Sequence, residues 1–450
     1  MKTNKNKQLI TNTIMMYILT FSTYFFSFIT VPYQSRILKP EIFGVVSLSI
    51  AIVTYFQIVI EFGFNLSATK SISENINDYN QIKKIYTSVM SIKGILFLIL
   101  SIIFWFLLNL VPSFAEYKSL YILTFFSLMI GSFLPDFVYR GIEKMSSMVL
   151  RTVLIKFIFT IMIFAFVKRP DDYLLIPLFT LSGNILSIIV AVLELKIKHK
   201  IQFVKINIKN IYYTFKESLP FFISRAAVSI YTITNSTIIS VIYPTGHAQI
   251  GYYTGVEKII NVGKNAASPV SDSLYPYMIK TKNYKLLKQI ILILIPFVIV
   301  GAIIGIVFAE QIVVLILGND YRDSYIYFRW FIPVLAIVPF SYILGFPALS
   351  PINKAKHANY STYVGTIIQI AGILLLFLTG YLNIISLIIL TGVSEFGVLL
   401  YRISILLFSN KKNTIEVNET NQYINEGEKL WKKYLHMAHL ICFTLDISIF

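Results

Sequence analysis

The sequence predicts an all-α polytopic membrane protein with about twelve transmembrane helices, in two pseudo-symmetric six-helix bundles around a central cavity. Three observations predict it: apolar runs of membrane-spanning length, a one-sided distribution of Lys and Arg between them, and one motif repeated at a matching place in each half. The chain has 450 residues, of which 56% are hydrophobic and 14% charged. Soluble domains carry about 25% charged residues, so this composition excludes an ordinary soluble fold.

The apolar residues gather into runs of roughly 20, the length that crosses a ~30 Å hydrocarbon core. Twelve runs are marked: 12–33, 42–66, 86–110, 118–138, 149–167, 173–195, 217–242, 249–279, 287–309, 329–350, 359–379 and 383–408. Backbone in lipid must satisfy its own hydrogen bonds, so the runs are helices. A transmembrane barrel would instead alternate over segments of about ten residues. The first run follows Lys2, Lys5 and Lys7 and resembles a signal peptide. No small-x-small cleavage site follows in Pro32-Tyr33-Gln34-Ser35-Arg36, so it reads as an uncleaved first helix.

The loops give orientation. One side collects 27 of the 39 Lys and Arg, including the loops around Lys83, Arg140, Arg151, Lys205, Lys285, Lys354 and Arg402. The other side holds seven: Arg36, Lys39, Lys118, Lys168, Arg169, Arg322 and Arg329. This bias places both termini in the cytoplasm. It also explains a net charge of +17 without invoking nucleic acid. No loop on the poorer side is long enough for an external globular domain.

The long inner loop 196–216 divides the chain into bundles at 1–195 and 217–408, with a polar tail from 409 to 450. Setting Gly44 over Gly251 aligns Lys39–Ser47 with Gly246–Thr254, an offset of 207 residues. Six helices per half is an even number, so the halves share one orientation. Their axis would run along the membrane normal, with the substrate site between them.

The run 249–279 is the least lipid-like. Thr254, Glu257, Lys258, Asn261, Lys264, Asn265, Ser268, Ser271 and Asp272 recur at steps of three and four, one face of a helix. Four charges facing lipid would cost about 10 kcal/mol or more, so the stripe must meet water or partner charges. Weaker stripes carry Thr54, Gln57, Glu61 and Asn65 in the second run, and Arg225, Ser229, Thr232 and Ser236 in the seventh. The first run is rich in hydroxyls. Arg225, Lys258, Lys264, Asn261 and Gln57 are therefore the candidate cavity residues, and Glu61, Glu257 and Asp272 the candidates for ion coupling. Lys93 and Lys156 lie about two turns from helix ends and read as snorkelling, structural side chains. The runs 287–309, 359–379 and 383–408 read as outer, lipid-facing helices.

Catalysis has little support. Asp171-Asp172 and Asp320-x-x-Asp323 read as turn residues or caps, and no phosphate-binding glycine loop, nucleophile elbow or HExxH helix occurs. A single cysteine, Cys442, excludes an intramolecular disulfide. His436 and His439 fall in the tail and predict no metal site; no cofactor is expected.

Several segments resemble a family. Arg36-Ile37-Leu38-Lys39-Pro40-Glu41-Ile42-Phe43-Gly44 and Glu61-Phe62-Gly63-Phe64-Asn65-Leu66-Ser67-Ala68-Thr69-Lys70 are similar to the first outer loop and the inner end of helix two of bacterial polysaccharide (O-antigen) flippases. Leu219-Pro220-Phe221-Phe222, Gly251-Tyr252-Tyr253 and Tyr275-Pro276 resemble that family's helix-seven entry and helix-eight ends. The resemblance covers about residues 10–410. It implies membership of the multidrug/oligosaccharidyl-lipid/polysaccharide exporter superfamily and alternating access. It also implies a cargo of undecaprenyl-diphosphate-linked oligosaccharide in the bacterial inner membrane, with a proton or sodium ion as possible coupling partner. Arg36 and Lys70 lie in the motifs and become candidate loop contacts. The alternatives are a drug or cation antiporter of the same superfamily, which predicts a carboxylate-led pocket, and a polysaccharide polymerase, which predicts a large outer loop or a buried histidine. The apolar residues 435–450 match nothing in the family and read as an interfacial helix.

Overall fold

The computed structural model describes the backbone of residues 2–410 and, apart from residues 2–10, 224, 228, 230–232, 266, 409 and 410, their side chains. The expectations for the tail, for His436 and His439 and for the side chain of Thr232 lie outside the described residues.

The described chain is helical throughout, with sixteen α-helices and four short 3-10 turns. The first half holds α1 (Lys2–Glu61), α2 (Phe64–Glu74), α3 (Tyr79–Leu110), α4 (Lys118–Gly131), α5 (Asp136–Gly141), α6 (Met145–Phe166) and α7 (Leu175–Ile197). The second holds α8 (Ile208–Ile242), α9 (Ala248–Ala266), α10 (Ser268–Thr281), α11 (Tyr284–Val307), α12 (Ala309–Leu317), α13 (Tyr325–Ile343), α14 (Phe346–Leu349), α15 (Ala355–Leu378) and α16 (Ile384–Asn410).

Each of the twelve expected runs is met by helix. Among the described residues, nine stretches are long and apolar enough to cross a membrane. The first two runs share one of them, 64 residues long from Thr11 to Glu74. The run 249–279 is not among the nine, and of the run 217–242 the stretch Ile233–Ile242 is a shorter apolar helix.

The local breaks follow from sequence. α1 is two helices joined at Lys39, whose φ of 56° and ψ of 168° leave the helical region. Pro40 disfavours helical geometry in the residue before it, which places the bend there. Gly63, at φ 72°, turns the chain between α1 and α2, a conformation that suits a residue without Cβ. The Asp78 carboxylate caps α3 by accepting from the backbone of Asn80 and Gln81, both at 3.0 Å.

The run 249–279 is not one helix. It breaks at Ala267, and Pro269 sits in the first turn of α10. Asp272 therefore lies on a different helix from Glu257, Lys258 and Lys264, and the single stripe expected from periodicity is divided.

The largest apolar core joins the two halves at the end that carries Phe43, Ile250, Leu317 and Tyr321. A second core, around Phe62, Ile85, Tyr86 and Phe137, fills the other end of the first half. On α11, Leu292, Phe297, Ile303 and Val307 are exposed, and on α15 so are Ile367, Leu374 and Phe377. These faces match the expected lipid contact. α16 likewise exposes Ile389, Val393, Phe396, Leu400 and Phe408, while its opposite face buries Thr391, Ser394 and Arg402.

Candidate functional site

The two halves meet most closely where the aligned motifs sit. A Cβ built on Gly44 would lie 2.6 Å from the Gly251 nitrogen, and one on Gly251 would lie 1.9 Å from the Pro40 carbonyl oxygen. The backbones of α1 and α9 thus touch through a pair of glycines 207 residues apart. Around them Ser35 donates to the Leu317 carbonyl at 3.0 Å, and the Arg36 guanidinium donates to the Leu315 carbonyl. Arg36 is therefore a link to the second half.

Successive residues of α9 turn by about 100°. Glu257 and Lys258 accordingly face different neighbours. Lys258 reaches the first half: its Nζ donates to Ser47 Oγ at 2.9 Å and sits 4.2 Å from the centre of the Phe43 ring, a cation–π distance. Beside it opens a slot of ≈ 40 Å³ lined by Ser27, Phe28, Val31, Pro32, Lys258 and Val262. Glu257 turns to α8, accepting from Ser236 Oγ at 2.7 Å and from the Tyr253 hydroxyl at 3.3 Å. About two turns further, Lys264 pairs with Glu395 of α16 at 3.2 Å, with side chains 17% and 14% exposed. Asn261, between them, is exposed.

The other predicted residues scatter. Gln57 donates to Glu61 at 3.4 Å, one turn along the same helix. Arg225 on α8 is exposed and makes no ion pair or hydrogen bond among the described residues. Asp272 is exposed, within electrostatic reach of Tyr24 and Tyr342. Lys70 is exposed and lies 3.8 Å from Glu74, an i,i+4 surface pair of small energetic value. The α1 hydroxyls Thr20, Thr23, Ser27 and Thr30 each donate to a carbonyl of their own helix. They are satisfied locally and leave no donor pointing at a cargo.

Two lysines read as snorkelling behave differently from each other. Lys156 is exposed, 3.4 Å from Thr23. Lys93 is 1% exposed; it donates to the Ser132 carbonyl and lies 5.6 Å from the Phe137 ring centre. It is buried within the first half rather than reaching for the interface. Two arginines counted with the inner loops are also buried. Arg151 pairs with Asp136 at 2.7 Å and stacks over Tyr139 at 4.9 Å. Arg402 donates to Ser341 and to Ser361.

Sequence reading missed a further polar cluster. Asn235 of α8 donates to Thr391 at 2.7 Å and accepts from Gln369 of α15 at 2.8 Å; Ser394 donates to Gln369 at 2.8 Å. All four side chains are buried. With Glu395 they give α16 a polar face turned into the second half, opposite its exposed apolar face. An acidic residue in an otherwise apolar run was the available signal.

Chemically, the arrangement sorts the basic residues into two kinds. Lys264 is neutralised by Glu395, and Arg151 by Asp136. Arg225 and Lys258 have no carboxylate within ion-pair distance among the described residues. Lys93 and Lys156 also lack one but belong to the first half alone; Arg225 and Lys258 lie on the two helices whose neighbouring ends join the halves, Lys258 with Ser47 and the Phe43 ring as its partners.

A family model described as "Polysaccharide biosynthesis protein" matches residues 9–282. A curated relative, "Putative O-antigen transporter" of Shigella dysenteriae, is 27% identical over 365 residues, covering 80% of this chain and 90% of the relative. A protein of the same description from Escherichia coli (strain K12) is 25% identical over 385 residues, covering 84% and 90%. Among solved structures, the fold is similar to "Lipid II flippase MurJ, inward closed conformation", with a TM-score of 0.66 at 16% identity, covering 89% of this chain and 87% of that one. It is also similar to an inward-facing multidrug resistance MATE family transporter, with a TM-score of 0.63 at 13% identity, covering 86% and 93%.

Proposed function

The chain belongs to the polysaccharide biosynthesis protein family, and from that premise we propose that it is a flippase for a lipid-linked oligosaccharide, a transporter and not an enzyme. The cargo is an undecaprenyl-diphosphate-linked repeat unit. It moves from the inner to the outer leaflet of the bacterial inner membrane for O-antigen or other surface polysaccharide. The observation that carries this reading is the pair Arg225 and Lys258, membrane-embedded cations left without carboxylate partners. A cation held at membrane depth without a carboxylate is costly, and an anionic ligand removes the cost. A diphosphate between a lipid tail and a sugar head is such a ligand.

On this reading the halves 1–195 and 217–408 move as bodies joined by the 196–216 linker, alternately opening the two sides of the membrane. The Lys and Arg bias assigns the Gly44–Gly251 contact to the outer side and the linker to the cytoplasm. The coupling ion, a proton or sodium, is assigned to Glu257, whose carboxylate is held by two hydroxyls rather than by an ion pair. Glu61 and Asp272 are the other candidates.

The experiment is deletion followed by lipid analysis. Lipid-linked repeat units should accumulate on the inner leaflet, and surface polysaccharide should fall. Arg225→Ala and Lys258→Ala should reproduce the loss at unchanged protein level. If deletion leaves no accumulated lipid-linked units, the reading is abandoned.

A further inference from the structure

A second cavity, of ≈ 230 Å³, lies between α2, α3 and the start of α8, far along the chain from Lys258 and Lys264. It sits at the end that carries the basic linker. Its floor is the place where the halves touch there. Ser67 and Ser218 meet at 2.7 Å, and Ser71 donates to Glu217 at 3.3 Å.

The lining is polar and short of internal partners. The side chains of Gln81, Asn210 and Tyr213 make no hydrogen bond among the described residues, and the Ser88 hydroxyl is 1% exposed with no partner. Buried polar groups are normally satisfied, so the Ser88 hydroxyl marks a place where a donor or acceptor is missing. The charges of the lining are two carboxylates, Glu74 and Glu217, against one ammonium, Lys84. This balance is wrong for a diphosphate. Amides, carboxylates and hydroxyls are right for a neutral ligand that offers many hydroxyls, each able to donate and accept. Pockets for drug-sized ligands run from about 300 Å³ upward, so a space of this size suits a group on the order of one sugar ring.

We infer that this cavity is a cytoplasmic subsite for a neutral sugar residue of the cargo, separate from the cations that meet its anionic group. The inference rests on the flippase reading and deepens it. It makes the α2–α3–α8 seam the place where repeat-unit identity is checked before the halves move. A site built to bond a hydroxyl discriminates strongly against a ligand that lacks it, because its own polar groups are then left unpaired.

The test uses the full-length protein in detergent and, as probe, the water-soluble oligosaccharide released by mild acid from the producing strain's own lipid-linked repeat unit. Binding is read by saturation-transfer NMR and by titration. Gln81→Ala and Asn210→Ala are the variants, because neither amide holds another described residue and folding should be unaffected. Each should weaken binding by about tenfold, the worth of one hydrogen bond to a ligand, while the thermal midpoint stays unchanged. Ser88→Ala is the second kind of variant, with a hydroxyl removed at the back of the cavity, and should do the same. Equal binding by wild type and all three variants overturns the subsite. So does absence of wild-type binding in a strain whose deletion still accumulates lipid-linked units; the flippase reading then stands without it. Absence of accumulation removes both.

Discussion

The two ends of the contact between the halves are built from different materials. At the end assigned to the outside, α1 and α9 cross backbone to backbone through Gly44 and Gly251, which are mates under the 207-residue offset. At the other end the partners are not mates. Phe62 stacks between Phe215 and Phe222, with ring centres 4.4 and 4.5 Å away, and Gly63 abuts Phe221 and Phe222. Ser67 meets Ser218, and a cavity remains alongside. The Gly44–Gly251 seam is intolerant of an added methyl. The inner seam is made of rings and hydroxyls that can part and re-form. On the proposed orientation, the tight seam faces outward and the yielding one faces the cytoplasm.

The largest expected effect tests the tight seam. Gly251→Ala drives a methyl into the Pro40 carbonyl, and should cost about 4 kcal/mol or more, read as loss of the thermal transition or of folded yield. Gly94→Ala is the control, because nothing lies within 4 Å of its Cβ; it should be neutral or gain up to about 1 kcal/mol from helix propensity. If the two variants melt alike, the difference between the seams disappears. Next is the rigidity of the second half, which the comparison assumes. Lys264→Met strands the Glu395 carboxylate and should cost about 3 kcal/mol, whereas Lys264→Met with Glu395→Gln should recover most of it. A double-mutant cycle with no coupling would show that α9 and α16 are not held together by this pair. The yielding seam is tested by Ser67→Cys with Ser218→Cys. Oxidation should cross-link the halves and stop export, and reductant should restore it; export by fully cross-linked protein would mean the seam does not part. The smallest effect is expected from Arg36→Ala. The side chain is exposed and makes one backbone contact across the outer seam, so its loss should cost under about 1.5 kcal/mol in thermal stability.

Helix positions were legible because lipid imposes length and apolarity on each segment independently of the others. The Lys39 bend and the break before Pro269 were written in prolines, although periodicity alone had drawn residues 249–279 as one continuous face. What could not be read was pairing. Lys264 and Glu395 stand 131 residues apart, and nothing local to either announces the other. Arg151 and Arg402 lie within a turn or two of helix ends, so a charge count assigns them to loops. Only packing reveals Asp136 and Ser341 beside them. The Asn235, Gln369, Thr391 and Ser394 cluster carries no charge and is spread over three helices, so no single run looked unusual. Glu257 and Lys258 were found together and then proved to face different halves. A helical wheel gives direction around one axis but not the identity of the neighbour.

α8 reaches from one seam to the other. It starts against α2 and α3 at Ser218, and its far part holds Asn235 and Ser236 in the packing of α9, α15 and α16. At 35 residues it is a rod roughly 52 Å long. Pro220, one third of the way along, removes a hydrogen bond from its ladder and provides a pivot. A swing of about 10° there would carry the far end, roughly 33 Å away, through roughly 6 Å, about one helical turn. On the proposed reading the rod would be a crank: cargo pressing on the short arm would work the long arm directly, with the gearing set by where the proline falls.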